Sequence, residues 1–384
     1  MKPEAYLDNA ATTRPWPEVC AEMQRVLTAD FGNAAARNAR GFQAARDIER
    51  ATAHILDLVG SGDWKVVFTS GGTESDNLAI RSAAPKGPRT AIVTSTVDHA
   101  AVRECSAATC PADDLTLISA GASGVLEARA VADAITPQTA LLAITAASNE
   151  MGTLQPVNDI TAWAKARNPR LRIHVDAVQA VAQTTRLDFS KDIDTVALSA
   201  HKIHGPQGVG ALLVRPGVSL RPQLFGGDQQ SGLRPGTPNL PGIVGFGEAA
   251  RLTRERREAG VRHMQALSAA LIDGLLRVPG TYFLGNPQQR APGLFFVAAA
   301  DIPSEVLLHG LSLRGVIASA GSACHASRKE PARCLVEAGL KPTDGALRFS
   351  LSFDTTETEI HQAIRAFGDV CQAVRSGHTG GLHD

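Results

Sequence analysis

From Lys65 to Val214 the chain alternates short β-branched or apolar runs with longer segments of helical period, and this restricts the fold more than any other feature. The expected strands are Lys65–Thr69, Arg89–Thr94, Leu115–Ile118, Ala140–Thr145, Leu171–Val175, Thr195–Leu198 and Gly210–Val214, with helices among them at Thr73–Ala84, Ala100–Ala107 and Asn158–Ala166. Strands separated by helices pair in parallel, because a parallel neighbour is reached only through a long crossover. The pattern predicts an α/β domain on a mostly parallel sheet flanked by helices. After Gly247 a charged helical stretch, Glu248–Arg277, leads into a second alternation. Its strands lie near Leu294–Ala298, Val316–Ala318 and Ala346–Leu351, and its helices near Glu305–Leu313, Pro331–Ala338 and Glu357–Ala373, which reads as a smaller α+β domain. The expected division is 15–247 for the large domain and 1–14 with 248–375 for the small one. Residues 376–384, rich in glycine and histidine, read as a disordered tail.

A length of 384 residues accommodates both domains. The 38 basic and 38 acidic residues balance, so no chain-wide positive field exists to draw in nucleic acid or an anionic membrane. The expected partner is a small molecule or another protein. Met1–Ala10 lacks the basic and apolar regions of a secretion signal, and no apolar run approaches a membrane span, so a cytoplasmic location is expected. The six cysteines are scattered, which predicts reduced thiols, and none has zinc-like spacing, so no metal site is expected.

Chemistry-bearing residues gather at strand ends. Asp176 closes the run Ile173-His174-Val175, and Lys202 follows the next strand in Ser199-Ala200-His201-Lys202. Ligands of open α/β sheets bind beyond the carboxyl ends of strands. A carboxylate and a lysine there suit a pyridine cofactor: the lysine forms a Schiff base and the carboxylate keeps the ring nitrogen protonated. Taken singly, Asp176 reads as a helix cap and Lys202 as a solvated loop lysine. The turn Ser70-Gly71-Gly72-Thr73-Glu74 opens a helix and offers N–H groups and the Thr73 hydroxyl to a phosphate, without Walker or Rossmann spacing. His99, after another strand, suits ring stacking and proton transfer, with a cap as the ordinary alternative. Asn149 and Gln179, beyond two further strands, are placed to hydrogen-bond a phenolic oxygen or serve as loop polar groups.

Cys324 lies in Gly321-Ser322-Ala323-Cys324-His325, followed by Arg328 and Lys329, a small, polar and basic setting that favours the nucleophilic thiolate. Cys20, Cys105, Cys110, Cys334 and Cys371 read instead as small buried hydrophobes. Arg348 stands inside an expected strand and needs an anion, either a substrate carboxylate or an internal salt bridge.

In their order and spacing these motifs resemble the NifS/IscS-type cysteine desulfurases of the class V aminotransferase group. The likeness runs nearly end to end through Tyr6-Leu7-Asp8-Asn9-Ala10-Ala11-Thr12-Thr13, Phe31-Gly32-Asn33, Gly71-Gly72-Thr73-Glu74-Ser75-Asp76-Asn77, Asn149-Glu150-Met151-Gly152, His174-Val175-Asp176, Ser199-Ala200-His201-Lys202, Arg234-Pro235-Gly236-Thr237, Gly321-Ser322-Ala323-Cys324 and Leu347-Arg348. The resemblance implies the pyridoxal 5'-phosphate-dependent transferase fold, type I, and a homodimer. It assigns the cofactor lysine to Lys202, ring stacking and proton transfer to His99, and the ring nitrogen to Asp176. It gives the phenolic oxygen to Asn149 and Gln179, the phosphate to Gly72, Thr73, Ser199 and His201, and adds Thr237 from the other subunit. Asn33 and Arg348 would hold the carboxylate of L-cysteine, and Cys324 would take its sulfur as a persulfide with release of L-alanine. A sulfur-acceptor protein is implied as partner, with iron–sulfur cluster assembly, tRNA thiolation, DNA sulfur modification and sulfur-metabolite synthesis as destinations. Selenocysteine lyase, another class V aminotransferase or lyase, and a catalytically silent assembly partner are the alternative readings. Departures from the family pattern are Ala34-Ala35-Ala36-Arg37-Asn38 for the usual Pro-Ser-Ser-x-His, Asp228-Gln229-Gln230-Ser231 after Gly226-Gly227, and Phe295 where asparagine is common.

Overall fold

A two-residue strand, β1 (Ala5–Tyr6), and two helices, α1 (Pro17–Thr28) and α2 (Ala39–Val59), precede the alternation. It then runs β2 (Lys65–Thr69), α3 (Gly72–Ala83), β3 (Ala91–Ser95), α4 (Ala100–Thr109), β4 (Leu115–Ile118), α5 (Ala128–Asp133), β5 (Thr139–Thr145), α6 (Val157–Arg167), β6 (Arg172–Asp176), β7 (Thr195–Ser199) and β8 (Gly210–Val214). The rest comprises α7 (Leu240–Leu276), β9 (Thr281–Leu284), β10 (Leu294–Ala299), α8 (Ser304–Ser312), β11 (Val316–Ile317), α9 (Arg333–Glu337), β12 (Gly345–Ser350) and α10 (Glu357–Arg375). This computed structural model describes residues 4–60, 63–83, 90–321 and 332–377. Cys324 and tail residues 378–384 lie outside them. Among the described residues no helix is long and apolar enough to cross a membrane.

The main sheet has the order β2-β8-β7-β6-β5-β3-β4. Its pairs from β7 to β4 are parallel, and β8 runs antiparallel to both β7 and β2. Strand β5 is buried along its whole length, as expected where helices cover both sheet faces. Because β8 reverses between them, β2 points the same way as β7. The carboxyl ends of β2, β3, β5, β6 and β7 therefore share one edge, where the polar motifs begin.

The small sheet is antiparallel, in the order β12-β10-β9, and β1 pairs in parallel with β11. Asp8 bridges to Ser350 at the end of β12, and Asn9 donates its backbone N–H and its side-chain amide to the Ser350 carbonyl. The N-terminal segment is thus anchored to the small sheet and passes over the large one. Helix α7 starts at Leu240, eight residues before the charged stretch visible in the sequence, because Asn239 caps it by accepting the Gly242 N–H at 3.2 Å.

Candidate active site

Gly210 shows how the sequence admits the first loop. A Cβ on it would lie 2.7 Å from both Gly71 Cα and the Leu198 carbonyl oxygen, so only glycine lets the turn after β2 settle on the sheet. Helix α3 then starts at Gly72 and turns its first N–H groups toward the strand-end edge. Glu74 accepts the Ser70 N–H at 2.6 Å and pairs with Arg234 Nε at 3.0 Å, which fastens the 234–237 segment to this turn.

Each neighbouring strand end supplies one functional group. After β3, His99 caps α4, its Nδ1 accepting the Ala101 N–H at 3.1 Å, so the neutral ring carries its proton on Nε2. Asp98 beside it is buried and accepts from Thr94 Oγ1 at 2.7 Å, Ser95 N at 2.6 Å and Thr145 N at 2.6 Å. After β6, Asp176 accepts the Val178 N–H at 2.9 Å; burial pushes its carboxyl up to about 8. Gln179 reaches the Ala10 carbonyl at 2.8 Å. After β7, Lys202 Nζ donates to the same carbonyl and to that of Ala11, the latter at 2.9 Å. Thr13 straps the N-terminal segment across this loop, its N–H and its hydroxyl both donating to the His201 carbonyl. Burial, and then Lys202, draw the His201 imidazole down to about 4, so it is neutral at physiological pH.

These groups enclose a cavity of about 280 Å³ lined by Gly72, Thr73, Asp76, His99, Asn149, Asp176, Gln179, Ser199, His201, Lys202 and Arg348. A more open recess of about 420 Å³ continues past Gly72, Thr73, Ser199 and His201 at the α3 N-terminus. Lysine and carboxylate sit at the ends of adjacent strands, a helix N-terminus offers N–H donors at one end, and Arg348 adds a fixed cation. The arrangement suits an anionic, aromatic, carbonyl-bearing molecule.

Two expected site residues stand elsewhere. Asn33 is exposed, its Oδ1 accepting the Ala35 N–H at 3.0 Å, and Thr237 is exposed beside the Arg234 tether. Arg348 makes the internal pairing that the sequence leaves open: Nη2 meets Asp8 Oδ1 at 2.8 Å and Nη1 donates to the Asn149 carbonyl at 2.9 Å. Its Nε has no hydrogen-bond partner among the described residues. The cysteine reading needs one correction. Cys105, Cys110, Cys334 and Cys371 are buried, but Cys20 is exposed on α1. Burial, and then Glu150, raise the Cys334 thiol, whose Sγ lies 3.0 Å from Glu150 Oε2, so it is held as a protonated donor. Sequence reasoning missed Asp8, Asp76 and Asp98 as members of this network. Asp8 and Asp76 lie inside the quoted motifs and Asp98 precedes His99, but nothing local says that Asp76 and Asp98 are buried or that Asp8 meets Arg348.

Residues 5–363 match the family model described as aminotransferase class-V. A cysteine desulfurase of Bradyrhizobium diazoefficiens is 38% identical over 376 residues, covering 97% of this chain and 95% of that protein. The chain belongs to this family, in its cysteine desulfurase group. A solved NifS-like protein superposes on it with a TM-score of 0.87 at 30% identity, covering 97% of this chain and 100% of the other. The structure of SspA in complex with cysteine gives 0.77 at 30% identity, covering 90% and 98%. The departures from the family pattern have local structural roles. Asn38 caps α2 by accepting the Gly41 N–H at 3.0 Å. The Gln230 side chain pairs with the edge of β2, accepting from Phe68 N at 2.6 Å and donating to Phe68 O at 2.8 Å. Phe295 is buried between Phe283 and Phe349 in the core of the small sheet, away from the cavity.

Proposed function

We propose that this chain is a pyridoxal 5'-phosphate-dependent cysteine desulfurase, a cytoplasmic homodimer that moves sulfur from L-cysteine to Cys324 and on to an acceptor protein. The observation that carries the reading is the convergence of Lys202, Asp176, His99 and the α3 N-terminus on one cavity. The residues fit the cofactor. A buried carboxyl pushed up to about 8 ionises when a cationic N–H is brought against it, and a pyridinium nitrogen is such a group. Gly72 N–H, Thr73, Ser199 and neutral His201 offer donors for the phosphate, and Gln179 and Asn149 offer amides for the phenolic oxygen. When bound, the cofactor supplies an electron sink that labilises bonds at the α and β carbons of an amino acid.

The chain's own groups do the rest. Lys202 Nζ would hold the cofactor covalently and would supply an amine base when released from it. His99, in the cavity wall, would cover the ring and holds an exchangeable proton at Nε2. Arg348 orients the substrate carboxylate, which competes with Asp8 for the guanidinium. The Cys324 thiolate attacks the substrate sulfur: the Cβ–S bond breaks, an S–S bond forms on Cys324, and the electron pair left at Cβ takes a proton to give L-alanine. The test is borohydride reduction of the cofactor-loaded protein followed by peptide mass mapping. A reduced adduct on Lys202, absent in Lys202→Ala, is the expected result. An adduct on any other lysine of the wild type overturns the reading.

A further inference from the structure

Asp76 belongs to the cavity wall, yet the reaction above gives it no task. It lies on α3, and its Oδ1 meets His174 Nε2 at 3.1 Å while His174 Nδ1 meets Thr195 Oγ1 at 2.9 Å. Both Asp76 and His174 are buried. Hydroxyl and imidazole can each donate or accept, so two proton arrangements satisfy this file. In one, Asp76 is ionised, Nε2–H donates to it and the Thr195 hydroxyl donates to Nδ1. In the other, Asp76 is protonated and donates to Nε2, and Nδ1–H donates to Thr195.

The neighbours decide between them. Asp98, from the connection between β3 and α4, accepts three donated hydrogen bonds, the environment of an ionised carboxylate. Asp176, from β6, must be ionised to hold a ring N–H. The other titratable or charged groups around Asp76 are His174 on β6, Cys105 on α4, and His99, Lys202 and Arg348 in the same cavity wall; β5 and β7 contribute the hydroxyls of Thr145, Thr195 and Ser199, and β8 is apolar. A buried negative charge on Asp76 would face Asp98 in the unloaded protein and Asp176 as well once a ring N–H is bound, while the cations of the same cavity wall are engaged, Arg348 with Asp8 and Lys202 with the Ala10 and Ala11 carbonyls; a neutral acid adds no repulsion. An imidazolium at His174 is opposed by its burial.

We infer that Asp76 is a positioning residue that carries its proton and donates it to His174 Nε2, making Asp76, His174 and Thr195 a neutral file that leaves the negative charge on Asp176. The purpose of the file rests on the cofactor reading, but the proton's location does not. With the file neutral, charge forms on Asp176 without opposition from Asp76, and the two residues, side by side in one cavity wall, take unlike protonation states.

The experiment is nitrogen NMR of ¹⁵N-histidine-labelled protein, with and without pyridoxal phosphate, the His174 signals being assigned by their loss in His174→Gln. Protonated Nδ1 and bare Nε2 are expected in both samples. Protonated Nε2, alone or with protonated Nδ1, in the protein without cofactor overturns the inference. Should the protein take up no cofactor, the cofactor reading fails and this tautomer still decides the inference. The second measurement is the pH titration of the cofactor absorption band in Asp76→Asn, whose amide also donates to Nε2. A midpoint within about 0.3 pH unit of wild type is expected, and a shift of about one unit or more, the effect of deleting a nearby charge, overturns the inference.

Discussion

Asp176 and Arg348 are the residues whose electrostatics govern the cavity, one a buried carboxyl pushed up to about 8, the other a buried guanidinium shared between Asp8 and the Asn149 carbonyl. Replacing Asp176 by alanine removes the partner of a ring cation and is expected to weaken cofactor retention by about 10²–10³-fold, the cost of breaking a buried charge pair. Absorbance titration of the unloaded protein measures this, and unchanged affinity contradicts it. Arg348→Lys loses the forked geometry and is expected to raise KM for L-cysteine by about tenfold or more while leaving the cofactor absorption band in place. The pH dependence of stability has a definite sign. Asp176 moves from 3.8 to about 8 on folding, so over that interval the native state binds the extra proton and stability is lost as pH rises. His174 moves from 6.5 to about 4, so over that narrower interval stability is lost as pH falls. Below pH 6.5 the buried imidazoles His174 and His201 oppose the carboxyls, and between about 6.5 and 8 the raised carboxyls of Asp176 and Asp76 act in one direction. Thermal scans of the unloaded protein are expected to show Tm falling across this window, with a flatter profile after pyridoxal phosphate is added; a rising Tm contradicts the assignment.

At the scale of elements, the loop after β5 is set by Gly152, which has φ +71 and packs so close to β10 that a Cβ would collide with the Leu294 carbonyl oxygen. Gly152→Ala is expected to cost about 3 kcal/mol or more, because strain and collision add, whereas Gly217→Ala, with φ +81 and open space around it, costs about 1 kcal/mol. Urea unfolding of the two variants measures the difference, and equal costs contradict it. Lys65–Thr69, Leu115–Ile118 and Gly210–Val214 were legible residue for residue, since each is a short apolar or β-branched run between turns. Strand β9, Thr281–Leu284, was not, although Tyr282-Phe283-Leu284 is apolar between Gly280 and Gly285, because four residues on a sheet edge are too few for a two-residue period to show. Cavity membership followed from strand order for Lys202, Asp176, His99, Gln179 and Asn149. The pairing of Lys202 with Ala10 and Ala11, and of Arg348 with Asp8, spans nearly the whole sequence, and no local periodicity records it.

At the scale of the molecule, the N-terminal segment joins the two sheets: it is anchored at Ser350 and lies over Lys202. Thr237 stands outside its own chain's cavity, which suits the role that the family likeness gives it in a second subunit's site. A heterodimer of Thr237→Ala with Lys202→Ala is therefore expected to regain about half of wild-type turnover, because one of its two sites receives both intact residues. No recovery over the separate variants contradicts the shared site. The central claim is desulfuration through Cys324, and paired quantification of alanine and sulfide tests it most directly, using wild type and Cys324→Ala supplied with pyridoxal phosphate, L-cysteine and a reducing agent. Equal amounts of both products from wild type and neither from the variant are expected. Undiminished sulfide from Cys324→Ala, or no alanine from cofactor-loaded wild type, contradicts the account.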